Sequence, residues 1–397
     1  MSKIGDKDVR VYFSVNGHGL GHISRCISIA QRLERIGADV LFSTYCEGLD
    51  YAKSKKLPFV ESPSIGYDVG PEGEVDVRST LANPKLLSTI PVLNQVNAEL
   101  RYIGRFRPDV VVSDSRASSI LAARLLGITV ITILNQYQVI IPRRKRFLRL
   151  ARVGDGALLT LVGRIWMMSR ELLIPDFPPP FTVSLRNLKI PPSRKRKVEF
   201  IGPILPVRPE DLPEKKKLRR KLGLPNDKPV IFAPISGPRK EKTPFIRSLL
   251  ASLKRVETEY EIVVSLGFPD GSSYPVKDGG CTVYQWLPNH SEFLKACDLV
   301  ISRPGHTTLM EAICFHKPLL LIPTPNHTEQ QGNAARASEL GIAEVLSQES
   351  ITSANLKSHI ELMLMTDDYK RKLEEIERKV PCMDGAEAAV NAVVMAA

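Results

Sequence analysis

The feature that most constrains this chain is a recurring order of short apolar strand, helix-length amphipathic stretch, glycine and second strand. Val9–Val15 is largely apolar, Asn16–Gly21 is glycine-rich, and Ile23–Ile36 sets Ile23, Ile27, Ala30 and Leu33 at helical spacing. Gly37 stops that helix and Ala38–Ser43 reads as a strand, so the chain opens on a βαβ unit. The order returns in strand Val110–Ser113, helix Ser118–Leu126, Gly127 and strand Ile128–Leu134. Such alternation predicts an α/β fold built on parallel, doubly wound sheets.

A length of 397 residues suits two domains rather than one core. Between Ile174 and Pro229 the texture changes to a proline-rich stretch carrying basic runs, which marks a hinge region. The alternation then restarts: strand Val230–Ala233, a turn at Ser236-Gly237-Pro238, a helix after Thr243, and strands Glu261–Leu266, Thr282–Trp286 and Leu299–Ser302. Helix Thr308–Phe315, strand Leu319–Ile322 and helix Gln331–Leu340 follow. We therefore expect one Rossmann-like domain over 1–207, a linker over 208–229 and a second Rossmann-like domain over 230–380. Residues 381–397 form a last helix that packs back on the first domain. Two such domains in series place the expected chemistry in the cleft between them.

Hydrophobic residues at 43% and charged residues at 25% describe a folded chain rather than a disordered one. The N-terminal MSKIGDKDVR lacks the apolar core of a signal peptide, and no stretch approaches the ~20 apolar residues of a spanning helix. A cytoplasmic protein is expected. Cys26, Cys46, Cys281, Cys297, Cys314 and Cys382 lack paired spacing, so neither disulfides nor a zinc site is expected. The net charge of +12 is concentrated in runs at Arg143–Arg152, Arg194–Lys197 and Lys215–Lys221. A run of that kind is most commonly a solvated face, and it can also meet the phosphates of an anionic membrane. Phe147 apart, no aromatic interleaves with the runs and no recognition motif accompanies them, which argues against nucleic acid as a partner.

The turn Asn16-Gly17-His18-Gly19-Leu20-Gly21-His22 lets backbone approach a ligand, and Gly19 and Gly21 are assigned to its anionic groups. A dinucleotide fingerprint is the rival reading. The spacing differs from GxGxxG, however, and only Glu47 follows the second strand as a ribose ligand. His22 stands where a sheet presents its ligands and is a candidate general base; the alternative is a residue that merely packs or caps. Asp114 ends strand Val110–Ser113 and can fix the tautomer of His22, or else cap the next helix. In the second half, Ser302–Glu311 is a strand end, a small-residue turn and a helix start. Gly305, His306 (through its backbone), Thr307 and Thr308 suit a pyrophosphate, and Glu311 suits ribose hydroxyls.

Taken in order, these segments resemble the GT-B superfamily, in particular the UDP-glycosyltransferases and the peptidoglycan N-acetylglucosaminyl transferase family. VYQWLPNHSEFL (Val283–Leu294) resembles a uridine-binding segment, which gives Trp286 a stacking role and assigns Leu287 and Asn289 to the base. Glu329-Gln330-Gln331-Gly332-Asn333-Ala334 resembles the DQxxNA segment, so Glu329 and Gln330 inherit the sugar hydroxyls. Ser236-Gly237 resembles the phosphate-proximal turn, and Ile201-Gly202-Pro203-Ile204 the segment that leads into the linker. His22 and Asp114 match the family's base and its partner. Glu329 and Asn289 depart from the usual aspartate and glutamine, and Leu134-Asn135-Gln136 stands where the peptidoglycan enzymes carry another acceptor segment.

The resemblance implies an inverting glycosyltransferase that moves a hexose or N-acetylhexosamine from a UDP-linked donor to a hydroxyl acceptor. It implies no cofactor, the nucleotide sugar being a co-substrate. No DxD pair of the kind that chelates a metal between phosphates is read, so no metal is expected; helix N-termini, Thr307, Thr308 and Arg239 serve the leaving group. Acceptor contacts are expected from Ser62–Asn83 and from the stretch after Asn135. The basic run Arg143–Arg152, the mainly apolar Ala157–Met168 and Phe177–Phe181 suit either a lipid-linked acceptor, with peripheral contact on the inner face of an anionic membrane, or an ordinary amphipathic helix. The alternatives in function are a nucleotide-sugar epimerase of the same fold and a non-catalytic nucleotide-sugar-binding protein.

Overall fold

The structure is a computed structural model. It describes residues 9–66, 68–76, 90–137, 162–188, 190–191, 196–256, 259–380 and 383–397. The chain divides into two compact units, one of residues up to 68 with 76–206 and 383–397, the other of 69–75 with 207–382.

The first unit is built on a seven-stranded parallel sheet in the order β3-β2-β1-β4-β5-β6-β7. Its strands are β1 (Arg10–Val15), β2 (Asp39–Thr44), β3 (Phe59–Glu61), β4 (Val110–Asp114), β5 (Thr129–Ile133), β6 (Glu171–Ile174) and β7 (Val198–Phe200). Strand alternation sends Val11, Phe13 and Val15 to one face and Tyr12 to the other, and a separate apolar core forms on each face. Helix α1 (Gly21–Arg35) covers the first face through Ile23, Cys26, Ala30 and Leu33. Phe13 and Phe42 stack there with ring centres 5.1 Å apart, each burial stabilising by about 1.5–3 kcal/mol. Helix α2 (Cys46–Ser54) follows β2, while α3 (Ile90–Phe106) and α4 (Ala117–Leu125) pack together.

The second unit repeats the design, with sheet order β10-β11-β9-β8-β12-β13-β14 and one antiparallel pair, β10 with β11. Its strands are β8 (Val230–Pro234), β9 (Glu261–Ser265), β10 (Val276–Asp278), β11 (Cys281–Tyr284), β12 (Leu299–Ser302), β13 (Leu319–Leu321) and β14 (Ala343–Val345). The helices are α5 (Lys215–Lys221), α6 (Arg239–Leu253), α7 (His290–Ala296), α8 (His306–Cys314), α9 (Thr328–Glu339), α10 (Ser353–Met365) and α11 (Asp368–Lys379). Phe245 and Leu249 of α6 and Leu356 and Ile360 of α10 bury against Ile231, Ala233 and Ile262 of the sheet.

The chain passes from the first unit to the second at Pro206–Val207, within the stretch read from sequence as a hinge. In that stretch Val198–Phe200 adds β7 to the first sheet. Residues 208–229 carry α5, whose Lys215 and Arg219 side chains pair with Asp298 at the start of β12. The second unit also takes in Val69–Val75, where the Val75 N–H donates to Pro325 O at 3.3 Å.

The last helix, α12 (Gly385–Val394), belongs to the first unit and packs against α1 through Ala386, Ala389, Val390 and Val393. Arg32 of α1 reaches Asp384 at 2.8 Å and Glu387 at 3.2 Å. Close approach needs glycine here: a Cβ on Gly385 would stand 2.2 Å from Gly202 O, and Gly202 itself has φ +80°. Gly385→Ala should therefore destabilise the first unit by about 1–3 kcal/mol, read as a lower urea midpoint. An unchanged midpoint would count against this docking.

Candidate functional site

Both sheets reverse their strand order in the middle, between β1 and β4 in the first unit and between β8 and β12 in the second. Ligands of open α/β sheets bind beyond the carboxyl ends of the strands at such points. The residues singled out in the sequence gather at both.

In the first unit, Val15 ends β1 beside Asp114, which ends β4, and the Asn16 N–H donates to Asp114 O at 3.2 Å. The chain then turns through Gly19, with φ +70°, into α1, whose first two residues are Gly21 and His22. His22 Nδ1 lies 2.7 Å from Asp114 Oδ1, with the carboxylate fully buried and the imidazole partly exposed. A carboxylate only accepts, so this contact requires a proton on Nδ1 and leaves the lone pair on Nε2.

Arg25 completes the arrangement. Its Nε donates to Asp114 Oδ2 and its Nη2 to Asp114 Oδ1, both at 2.6 Å, while Nη2 also reaches Asn135 Oδ1 at 3.1 Å. Nη2 lies 2.9 Å from His22 Nδ1, a contact between two donors in this tautomer. Burial alone would raise the Asp114 carboxyl, but the Arg25 charge, then His22, hold it well below the usual carboxylate range. Cys26 Sγ adds a contact to Oδ2 at 3.3 Å, and burial, then Asp114, push that thiol up. The sequence reading missed Arg25 and gave Asn135 no part in this pairing. The signal for Arg25 was its spacing: His22 and Arg25 are three apart on one helix and so share a face.

In the second unit Ser236 and Gly237, the latter at φ +111°, form the turn between β8 and α6. Arg239 opens α6, donates through Nη2 to both carboxylate oxygens of Asp270 at 2.9 and 3.0 Å, and lies over the Phe268 ring. Its charge is thus shared with an acid that the sequence reading did not weigh. After β12, Gly305 caps α8, His306 is buried, and Thr307 and Thr308 are half-buried in the first turn. The turn is held from below by Arg303, whose guanidinium stands 3.7 Å over the Phe245 ring and donates to Ile322 O at 2.9 Å. Burial pulls Arg303 down to about 9.

Glu311, one turn into α8, is buried and lies 3.3 Å from His290 Nε2, a partner that the sequence reading also missed. His290 is the first residue of α7, four after Trp286, so the uridine-like segment and Glu311 meet through it. Trp286 is half-buried with its backbone N–H donating to Ser272 O, Leu287 is buried, and Asn289 stands at the N-cap of α7 and donates to Glu292 Oε2 at 3.2 Å. Glu329 and Gln330 lie in the first turn of α9, where Gln330 Oε1 accepts from the Thr324 N–H at 2.8 Å. Asn333 of the same helix donates to Pro304 O at 3.1 Å, tying α9 to the α8 turn.

Of the expected acceptor residues, 67, 77–83 and 138–161 lie outside the described residues, and so do Arg194 and Lys195 of the basic run at 194–197 and Asp6-Lys7-Asp8, which has DxD spacing ahead of β1. Among the described residues no helix is long and apolar enough to cross a membrane.

Two parallel α/β units with ligand-type turns at both switch points define a class, and comparison with known proteins names it. The family model for glycosyl transferase family 1 matches residues 9–152, and that for the glycosyltransferase family 28 C-terminal domain matches residues 244–386. An uncharacterized glycosyltransferase of Methanosarcina mazei is 28% identical over 386 residues, covering 96% of each chain. In Bacillus cereus, UDP-N-acetylglucosamine--N-acetylmuramyl-(pentapeptide) pyrophosphoryl-undecaprenol N-acetylglucosamine transferase 1 is 24% identical over 95% of this chain and 96% of its own. Among solved structures, the glycotransferase of kitacinnamycin superposes with a TM-score of 0.65 at 15% identity, covering 98% of each chain. The chain belongs to the GT-B glycosyltransferase superfamily and is a glycosyltransferase.

The Asp114 geometry has a measurable consequence. Its folded-state carboxyl lies below the ordinary 3.8, so the stability it contributes is complete above that value and is lost as the pH falls through it towards the folded value. Arg25→Ala leaves the buried carboxylate uncompensated and should cost about 3–5 kcal/mol at neutral pH. Because burial then acts unopposed by Arg25, the acid loss should also begin at higher pH than in the wild type. Urea midpoints of both proteins from neutral pH into acid would check this, and coincident profiles would refute it.

Proposed function

We propose that this glycosyltransferase moves a hexose or N-acetylhexosamine from a UDP-linked donor to an acceptor hydroxyl, with inversion at the anomeric carbon. The observation that carries the reading is the 2.7 Å pairing of His22 Nδ1 with the buried Asp114, which leaves Nε2 as the basic nitrogen. Nε2 takes the acceptor proton, the acceptor oxygen forms its bond to the anomeric carbon, and the bond from that carbon to the diphosphate breaks, its electron pair leaving on UDP. One in-line displacement inverts configuration. Asp114 stabilises the imidazolium formed, as the third member of a triad does.

The donor reading rests on Trp286, Leu287 and Asn289 for the base, Glu311 for the ribose, and Glu329 and Gln330 for the sugar. Ser236, Gly237 and the helix start from Gly305 to Thr308 serve the diphosphate, with Gly19 and Gly21 as further backbone contacts. The chemistry we propose at the diphosphate uses these donors and Arg239 in place of a metal. The acceptor proposed is lipid-linked, by analogy with the pyrophosphoryl-undecaprenol compound named for the Bacillus cereus relative. A lipid-linked acceptor implies peripheral contact with the anionic inner face of a membrane. The epimerase alternative needs no acceptor, and a base paired with a buried carboxylate favours transfer over it.

Calorimetry with UDP and UDP-sugars, without added metal, should show binding to wild type that Glu311→Ala loses. His22→Ala should keep that binding while transfer to a polyprenyl-phosphate-linked or free sugar acceptor falls on the order of 10²–10⁴-fold. UDP binding unaffected by Glu311→Ala would overturn the donor assignment, and full transfer by His22→Ala would overturn the base.

A further inference from the structure

The glycine turn that leads to His22 carries a second histidine, His18, and the proposed transfer gives it no task. Its ligand nitrogen, the Cys46 thiol and the Glu47 carboxylate lie within 4.8 Å of one another. We propose that His18, Cys46 and Glu47 form a binding site for one divalent cation of zinc type, which clamps the glycine turn to the start of α2.

The donor set is chemically coherent. Nitrogen, thiolate sulfur and carboxylate oxygen are the three protein ligand types of zinc, and three of them leave a fourth tetrahedral position for water. Bond lengths of about 2.0–2.3 Å to zinc put ligand atoms roughly 3.3–3.6 Å apart, so closure asks only for small side-chain rotations. His18 Nε2 lies 2.6 Å from Ile65 O, and a carbonyl can only accept, so the proton sits on Nε2 and Nδ1 is the nitrogen able to bind a cation. Metal-binding histidines characteristically donate their other N–H to a carbonyl in this way.

The backbone around the set is closely packed. The Gly48 N–H donates to Gly17 O at 2.9 Å, and a Cβ on Gly17 would stand 1.9 Å from Tyr45 O. Tyr45 sets its ring edge-on to His18, with centroids 5.4 Å apart, and the Arg116 guanidinium lies 5.4 Å from the centre of the same ring. Cys46 is exposed and has φ +46°, which directs the first side chain of α2 from a conformation non-glycine residues seldom adopt. A route for an ion from solvent therefore exists at Cys46. Zinc-type cations bind the thiolate, so uptake exchanges the S–H bond of Cys46 for a sulfur–metal bond and releases that proton to solvent.

The test is a Co²⁺ titration of the full chain after chelator treatment. One equivalent should produce the visible bands of a tetrahedral centre and a near-ultraviolet thiolate-to-cobalt band, release one proton, and be displaced by Zn²⁺. Cys46→Ser and His18→Ala should weaken binding at least tenfold and abolish the thiolate band or the stoichiometry, whereas Cys314→Ser should leave both intact. If a variant fails to fold, alkylation of the wild type decides: Zn²⁺ should slow modification of Cys46 at least tenfold and leave Cys314 unaffected. Absence of a thiolate band in the wild type, a band that survives Cys46→Ser, or alkylation of Cys46 indifferent to Zn²⁺ would overturn the site.

Discussion

The buried pair of Asp114 and Arg25 is the constraint on which the first unit depends. A carboxylate fully enclosed at the end of a central strand is tolerable only if its charge is met and its lone pairs are used, and Arg25 does both with two bonds of 2.6 Å. Because Arg25 is on the second turn of α1, meeting that charge also sets the rotation of the helix on the sheet. His22, one turn earlier on the same face, is then brought to Asp114. A second buried pair, Glu99 with Arg116 at 2.8 Å, acts nearby: Tyr12, Ser43 and Ser62 all donate to Glu99, so α3, β1, β2 and the loop after β4 are joined through one carboxylate. The polar interior of this unit is therefore a framework for its carboxyl edge.

The second unit reaches a rigid edge by another route. Its turns after β12 and β13 are tied by neutral and cationic donors to backbone carbonyls, Arg303 to Ile322 and Asn333 to Pro304. Such bonds leave the N–H groups at the start of α8 directed outward from the strand ends, where anions are favoured. Glu311 meets His290 there, so that the segment around Trp286 and the α8 helix are joined through that contact.

Much of the scaffold was legible because its signals are local. Strand β12 was read at Leu299–Ser302 and the first strand one residue longer than β1, since apolar runs bounded by glycine or proline carry their own ends. Short or weakly apolar elements were not read: β3 is three residues long, β10 carries Lys277 and Asp278, and β6 and β7 lie among prolines whose abundance suggested a hinge. Their strand character comes from neighbours that supply hydrogen bonds, which no local pattern reports.

The sequence by itself determined the alternation of strands and helices, the repetition of that plan, and the placing of Asp114 at a strand end and of His22, the Gly305–Thr308 turn and Glu311 where the next helix begins. Those follow from side-chain periodicity and from glycine's conformational freedom, both properties of adjacent residues. Tertiary structure alone decided that Arg25 shares Asp114 with His22, that His290 meets Glu311, that Arg239 is engaged by Asp270, and that His18 stands beside Cys46 and Glu47. Each joins residues from different elements, and which partner a charge finds is settled by how those elements pack.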